Sequence, residues 1–204
     1  MRRAFQARCH ELGLNLFMVV GRALDTPDQR GATHNQIYEH VTPDSVDGAI
    51  LVSAGLAAFS GPEGLLRLVR EHPGFPRVSM GAAVPGVPSI LVDNKPGMDA
   101  LLEHVFGHHG CRRVAYLGGP SRNPDAKVRF DAYLAALSRH GIEYDPDLVA
   151  NGSFTPLTGA EAMREILCRV SCFDAVVAAN DGMAPGAMVV LRANGISVPH
   201  DHIV

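Results

Sequence analysis

The sequence lacks a long hydrophobic run and has no excess of basic charge. The longest early apolar stretch, residues 14–20, is interrupted by Asn15 and is too short to cross a membrane. The formal net charge is −3, so the chain has no overall positive field with which to hold nucleic acid. These absences argue against a membrane span and against a DNA-binding surface within this chain.

Cysteine is also sparse. The four cysteines are Cys9, Cys111, Cys168 and Cys172. Cys168 and Cys172 are four positions apart, but no second pair completes a zinc-binding set. This usage is typical of buried or idle thiols in a reducing cytoplasm. His10 and Glu11 precede the first apolar run and no small-residue cleavage site follows it, so we expect a cytoplasmic protein without a secretory signal.

Signatures of catalysis and of cofactor binding are missing as well. Gly118-Gly119-Pro120 is not followed by the Lys and Ser/Thr of a phosphate-binding loop, and residues 81–86 lack the dinucleotide fingerprint. No nucleophile stands at a recognisable spacing from a partner base. His104 and His108 are spaced i, i+4, which could suit a metal, but no third ligand is evident and the pattern favours a solvated helix face. We therefore expect no enzymatic activity, no cofactor and no metal.

What the sequence does contain is a regular alternation of strand and helix patterns. The predicted strands are residues 14–20, 48–53, 77–80, 89–92, 114–117, 148–150 and 175–178. The predicted helices start at or near Ala4, Asn35, Pro62, Pro96, Pro124, Pro156 and Asp181. This alternation predicts an α/β fold with parallel sheets. A crossover near Asp93 and Asn94 divides it into two Rossmann-like lobes, an N-terminal lobe of residues 1–92 and a C-terminal lobe of residues 93–204.

Two of the predicted corners between strand and helix carry polar groups. Residues 176–184 run from an apolar strand through Asn180 and Asp181 into a helical pattern. Residues 113–120 form a similar strand, followed by a polar loop and a helix that carries Arg129. Parallel sheets present ligand-binding groups at the carboxyl ends of their strands. The two corners together predict a small-molecule cleft.

The order of several motifs resembles the effector-binding core of LacI/GalR-type transcriptional regulators. The matching motifs are Val46-Asp47-Gly48, Val92-Asp93-Asn94, Gly118-Gly119-Pro120, Asp145-Pro146-Asp147-Leu148-Val149, Gly152-Ser153-Phe154-Thr155, residues 179–184 and residues 195–201. The resemblance covers roughly the whole chain. It implies a periplasmic-binding-protein-like fold of type I, in which two lobes close on a small-molecule effector, either a sugar or a nucleoside. It also implies a homodimer.

The chain departs from the family pattern at both ends. The family core opens with a strand, whereas here Met1 leads directly into a helical pattern, and the family continues beyond Ile203-Val204. We therefore expect an incomplete fold, in which the first strand of the N-terminal lobe and the last elements of the C-terminal lobe are missing. We expect marginal stability for the same reason. The resemblance implies contact with DNA only through a head that is absent from this chain.

Six residues are candidates for ligand recognition: Arg129, Asn180, Phe154, Asn123, Asp125 and Ser53. By resemblance, Arg129 matches the arginine with which the family grips its ligand, and its forked donors suit hydroxyls, carboxylates or phosphates. The alternative is a surface salt bridge to Asp125. Asn180 matches an amide that bonds ligand hydroxyls, and the alternative is a plain helix cap. Pro185 replaces the usual aliphatic residue and removes a backbone bond, which predicts a kink in this first turn.

The other four candidates are supported by their positions in the predicted elements. Phe154 matches an aromatic residue that stacks on the ligand, and the alternative is an anchor for its loop. Asn123 and Asp125 flank a proline at the mouth of the same corner, where capping is the alternative for Asn123. Ser53 ends the second predicted strand and is expected to face the cleft from the first lobe.

Three other functions stay open at this point. Residues 35–39 and 60–65 resemble LacI-type sensor domains of diguanylate cyclases and histidine kinases, in which the same cleft drives a signalling output. A periplasmic sugar-binding protein would share the fold but is disfavoured because no signal peptide is found. A Rossmann-like transferase or dehydrogenase would need a cofactor loop that the sequence does not contain.

Overall fold

Two separate three-stranded parallel sheets form the framework of the molecule, which a computed structural model describes for residues 2–26 and 29–199. The first sheet has the order β1-β2-β3, with strands Ala49–Val52, Arg77–Met80 and Ser89–Ile90. The second has the order β5-β4-β6, in which β4 is Val114–Gly118, β5 is Val149–Asn151 and β6 is Ala175–Ala178. All four pairings are parallel, which confirms the predicted fold class.

Helices connect these strands. The α-helices α1 to α8 are Arg2–Glu11, Gln29–His34, Ser53–Leu56, Gly61–Arg70, Asn94–Glu103, Pro124–Arg139, Pro156–Arg169 and Ala184–Ala193. Asn35–His40 and Pro146–Leu148 are 3-10 helices, and His104–His108 is a π-helix that extends α5. Helix α8 begins later than predicted because Asn180 and the residues after it form a turn. Pro185 therefore lies in the first helical turn, where its missing N–H would have no helical partner in any case.

Local capping explains where the helices of the second lobe begin. The Asn123 side chain accepts a hydrogen bond from the Ala126 N–H at 3.0 Å. Thr155 and Thr158 form a reciprocal capping box at the start of α7. These caps satisfy backbone donors that would otherwise lack partners, which is why the predicted helix starts after Asn123 and Thr155 are confirmed.

The first lobe departs from prediction at its beginning. The prediction of a strand at residues 14–20 is wrong, because this segment pairs with no described strand and leaves Phe17 and Val20 about three-quarters exposed. A buried parallel strand needs hydrogen-bonding neighbours, and β1 has β2 as its only strand partner among the described residues. Helix α1 has no buried residue. The strand predicted at residues 89–92 is shortened to Ser89–Ile90.

The second lobe holds most of the hydrophobic core. All five residues of β4 are buried, and α5 packs against α6 while α7 packs against α8. A much smaller cluster in the first lobe consists of Ala57, Leu65, Ala82 and Val84.

The predicted lobe boundary at residue 92 falls between β3 and α5, and it remains a prediction. Within residues 2–26 and 29–199, no helix is both long and apolar enough to span a membrane. His200, Asp201 and the Ile203-Val204 end lie outside the described residues.

Two stacked tyrosines in this core differ in how their hydroxyls are satisfied. The Tyr116 and Tyr133 rings lie 4.7 Å apart. The Tyr133 hydroxyl donates to the Val114 carbonyl at 2.9 Å, whereas the buried Tyr116 hydroxyl has no partner among the described residues. Burial raises the pKa of both phenols well above the ordinary value, although the positive charge of Arg129 opposes this for Tyr116. Both phenols are therefore neutral at physiological pH.

We expect opposite results from removing these two hydroxyls. Tyr116→Phe should leave the free energy of unfolding unchanged or raise it by up to about 1 kcal/mol, because it deletes a buried polar group that has no partner in residues 2–26 and 29–199. Tyr133→Phe should lower it by about 1 kcal/mol, because it breaks a hydrogen bond and strands a buried carbonyl. Urea unfolding followed by circular dichroism measures both. A larger loss for Tyr116→Phe than for Tyr133→Phe would contradict the prediction.

Candidate ligand-binding site

Arg129, on α6, joins the start of α5 to the end of β6. Its Nε and Nη2 donate to the Asn94 Oδ1 at 3.1 and 2.8 Å. Its Nη1 donates to the Ala179 carbonyl at 2.5 Å. The guanidinium has five N–H groups in a planar fork, and these three bonds leave one N–H on each terminal nitrogen. Arg129 is half-buried, so part of the residue is accessible to solvent.

Asn94 links Arg129 to Asp125 and to the segment between the two sheets. The Asn94 Nδ2 donates to the Asp125 Oδ1 at 2.9 Å and to the Val92 carbonyl at 3.3 Å. The alternative of a direct salt bridge between Arg129 and Asp125 is not found within residues 2–26 and 29–199. The Asn94 amide instead bonds to both groups, because its Oδ1 accepts from Arg129 and its Nδ2 donates to Asp125. The three side chains therefore form one polar cluster beside the crossover.

Asn180 is the residue after Ala179, whose carbonyl accepts the hydrogen bond from Arg129. Its Nδ2 donates to the Phe154 carbonyl at 3.1 Å, and its Oδ1 accepts from the Met183 N–H at 3.1 Å. The second bond closes the turn before α8, whereas the N-cap residue of α8 itself is Met183, which has no side-chain capping bond. The first bond holds the loop after β5 against the loop after β6. Arg129, Asn180 and Phe154 are thus brought together at the carboxyl edge of the second sheet.

Phe154 has an unusual backbone conformation for a residue with a large side chain. Its φ is +65°, in the left-handed region, which costs a non-glycine residue about 1 kcal/mol or more. Its half-buried ring lies over Gly119, where a Cβ atom would come within 2.3 Å of two ring carbons. The Gly118-Gly119-Pro120 motif therefore makes room for this ring. The ring anchors its loop in this structure, and stacking on a ligand stays a prediction.

Asn123 and Ser53 are buried and already have protein partners. Asn123 is 3% exposed and caps α6. Ser53 begins α3, is fully buried, and accepts a hydrogen bond from the Ser79 hydroxyl at 2.6 Å. In this conformation neither side chain has surface for a ligand. Contact between a ligand and either residue stays a prediction, and it would require a rearrangement.

Sequence reasoning missed Asn94 as a member of the site. The Val92-Asp93-Asn94 motif predicted the crossover between the lobes, but it did not predict that Asn94 would contact Arg129. The available signal was a polar side chain just after the carboxyl end of the strand predicted at residues 89–92, because ligands bind outside the carboxyl ends of the strands in open α/β sheets. A surface concavity of about 510 Å³ lies elsewhere, on the first lobe beside Val69 and Phe75. None of the six predicted residues lines it.

Comparisons with known proteins agree on one family. A family model for a periplasmic binding protein-like domain matches residues 104–204. CelR, an HTH-type transcriptional regulator of Thermobifida fusca, is 33% identical over 196 residues, which cover 94% of this chain and 53% of that protein. The solved complex of a CelR regulator with cellobiose is 31% identical with a TM-score of 0.77, over 97% of this chain and 57% of that one.

A sugar-binding regulator of the LacI family from Escherichia coli, solved with phosphate, is 26% identical with a TM-score of 0.70. That match covers 98% of this chain and 70% of the other. The chain belongs to the LacI/GalR family. It spans about half the length of the curated relatives it matches. These LacI/GalR relatives are transcriptional regulators rather than enzymes, and the periplasmic-binding-protein-like fold expected from the sequence is confirmed.

Proposed function

We propose that this chain is the small-molecule sensing part of a LacI/GalR-type transcriptional regulator. The observation that carries the proposal is the position of Arg129, which is held between Asn94 at the crossover and Ala179 at the end of β6. Its two remaining N–H groups are suited to neighbouring hydroxyls or to an anionic group. A ligand on Arg129 would also adjoin Asn180 and Phe154, which are already joined by a hydrogen bond from the Asn180 side chain to the Phe154 carbonyl.

We infer that the ligand is a sugar, with a nucleoside as the second candidate. The related CelR structure is a complex with cellobiose, and the related Escherichia coli regulator is described as sugar-binding. Sugars combine hydroxyls, which suit guanidinium and amide groups, with an apolar face that suits an aromatic ring. The candidate site offers all three in Arg129, Asn180 and Phe154.

The proposed mechanism is closure of the two lobes, residues 1–92 and 93–204, around the ligand. Asn94 lies just after the crossover and bonds to Arg129 and to the Val92 carbonyl. A ligand that engages Arg129 would change the contacts of Asn94 and so favour one angle between the lobes. Differential binding to the open and closed forms is what shifts such an equilibrium.

A cytoplasmic homodimer would transmit the lobe angle to a DNA-binding region outside this chain, with no catalytic step. The reported relatives are transcriptional regulators, which does not favour the diguanylate cyclase or histidine kinase alternative. A periplasmic sugar-binding protein is not favoured for the same reason.

A thermal unfolding screen with cellobiose, other small sugars and nucleosides tests the sensing function. We expect one sugar at millimolar concentration to raise the midpoint, since a ligand at 100 times its Kd adds about 2.7 kcal/mol to stability. Glycerol at the same concentration controls for the general stabilisation that polyols produce. A shift from nucleosides alone would replace the sugar assignment. Cooperative unfolding with no shift from either class would overturn the proposed function.

A further inference from the structure

Three exposed histidines converge at the carboxyl end of α5, on the second lobe. One ligating atom from each of His104, His108 and His109 lies within 4.8 Å of the other two. The Nε2 atoms of His104 and His109 are 2.9 Å apart. The rings of His104 and His108 are stacked with centroids 5.0 Å apart, and the His109 ring stands perpendicular to that of His104.

The π-helix is what adds the third histidine to this group. The His109 N–H donates to the His104 carbonyl at 3.0 Å, which is an i→i+5 bond. The wider turn brings residue i+5 as well as residue i+4 over residue i. In a regular α-helix only His108 would share the face of His104. The sequence-based expectation of a solvated pair assumed that geometry, so it did not include His109.

We propose that His104, His108 and His109 form a binding site for a divalent first-row transition metal such as Zn²⁺ or Ni²⁺. Neutral imidazoles are the preferred nitrogen ligands of these ions. Zn–N bonds of about 2.0–2.1 Å in a tetrahedron place ligand nitrogens roughly 3.3 Å apart. The three rings are exposed, so small rotations reach this spacing from the present one.

The surroundings leave the fourth coordination position to water. Glu103, the neighbouring carboxylate, already pairs with the His140 Nε2 at 3.0 Å. That pair joins α5 to the end of α6 and lies beside the proposed site. Bound metal would fasten the bend at His109 to the π-helix that carries His104 and His108. The site is separate from Arg129 and does not depend on the proposed sensing function.

Isothermal titration of metal-free, tag-free protein with ZnCl₂ and with NiCl₂ tests the site. We expect one metal per chain. His104→Ala, His108→Ala and His109→Ala should each weaken binding by about tenfold or more. The matched control is His10→Ala, an exposed histidine on α1, which should leave binding unchanged. Because all four substitutions are exposed, far-ultraviolet circular dichroism should show the same fold in every variant.

His109→Ala is the decisive variant, because it preserves the His104 and His108 pair at i, i+4. Unchanged affinity in His109→Ala would show a simple helical pair and would overturn the three-histidine site. Absence of binding in the parent protein would also overturn it. A parallel loss in all three variants, together with a metal-dependent rise in the thermal midpoint of the parent and of His10→Ala only, is the result that supports it.

Discussion

Gly186→Ala is expected to destabilise the second lobe by about 3 kcal/mol or more. Helices α7 and α8 approach so closely that a Cβ atom at Gly186 would lie 1.8 Å from the Pro156 carbonyl oxygen and 2.9 Å from the Ala160 nitrogen. Both are backbone atoms, so the clash can be relieved only by moving the backbones of α7 and α8 apart. Urea unfolding followed by circular dichroism measures the loss.

Gly97→Ala is the matched control for this substitution. Gly97 also lies within a helix, α5, but a Cβ atom there would meet nothing within 4 Å. The alanine should raise the free energy of unfolding by roughly 0.5–1 kcal/mol, because glycine loses more backbone freedom on folding. Equal effects of the two alanines would contradict the close approach of α7 and α8.

Arg129→Lys is expected to weaken sugar binding by roughly 100-fold, with cellobiose as the first probe. Lysine keeps the charge but replaces the planar fork by a single ammonium. It cannot reach both Asn94 and Ala179 while also donating to a ligand with fixed geometry. Isothermal titration measures the affinity, and thermal unfolding without ligand separates lost binding from lost structure.

Lys127→Ala provides the control on the same helix. Lys127 pairs with Asp131 on the exposed side of α6, so its removal should change the affinity little and the stability by less than about 1 kcal/mol. If Arg129→Lys binds sugar as tightly as the parent protein, then Arg129 is a structural link between α5 and β6 only. The sensing site would then have to lie elsewhere.

Local signals in the sequence predicted the second lobe well. Each of its strands has a partner, and Asn123 and Thr155 cap their helices through residues three positions further along the chain. The prediction of a strand at residues 14–20 is wrong because a strand forms only where a neighbouring strand pairs with it. The sequence of the segment alone does not show whether such a neighbour is present. Asn94 and His109 were missed for related reasons. Asn94 meets Arg129 35 positions away, and His109 depends on a widened helical turn.

The candidate site shows the same difference between local signals, which the sequence contains, and contacts between distant residues, which it does not. The sequence indicated the corners that bring Arg129, Asn180 and Phe154 together, because parallel strands end at one edge of a sheet. It did not indicate that Asn94 would stand between Arg129 and Asp125, nor that Ser53 would be enclosed against Ser79. Side-chain partners that lie far apart in the sequence are set by packing, which a single sequence does not display.

The unequal hydrophobic cores of the two lobes affect the apparent affinity for a ligand that contacts both lobes. The small cluster around Leu65 stabilises the first lobe far less than the continuous core around β4 stabilises the second. If only a fraction of molecules has the first lobe fully ordered, the apparent Kd rises in inverse proportion to that fraction. Sensitivity to the ligand could then be tuned by substitutions near Leu65, far from any ligand contact.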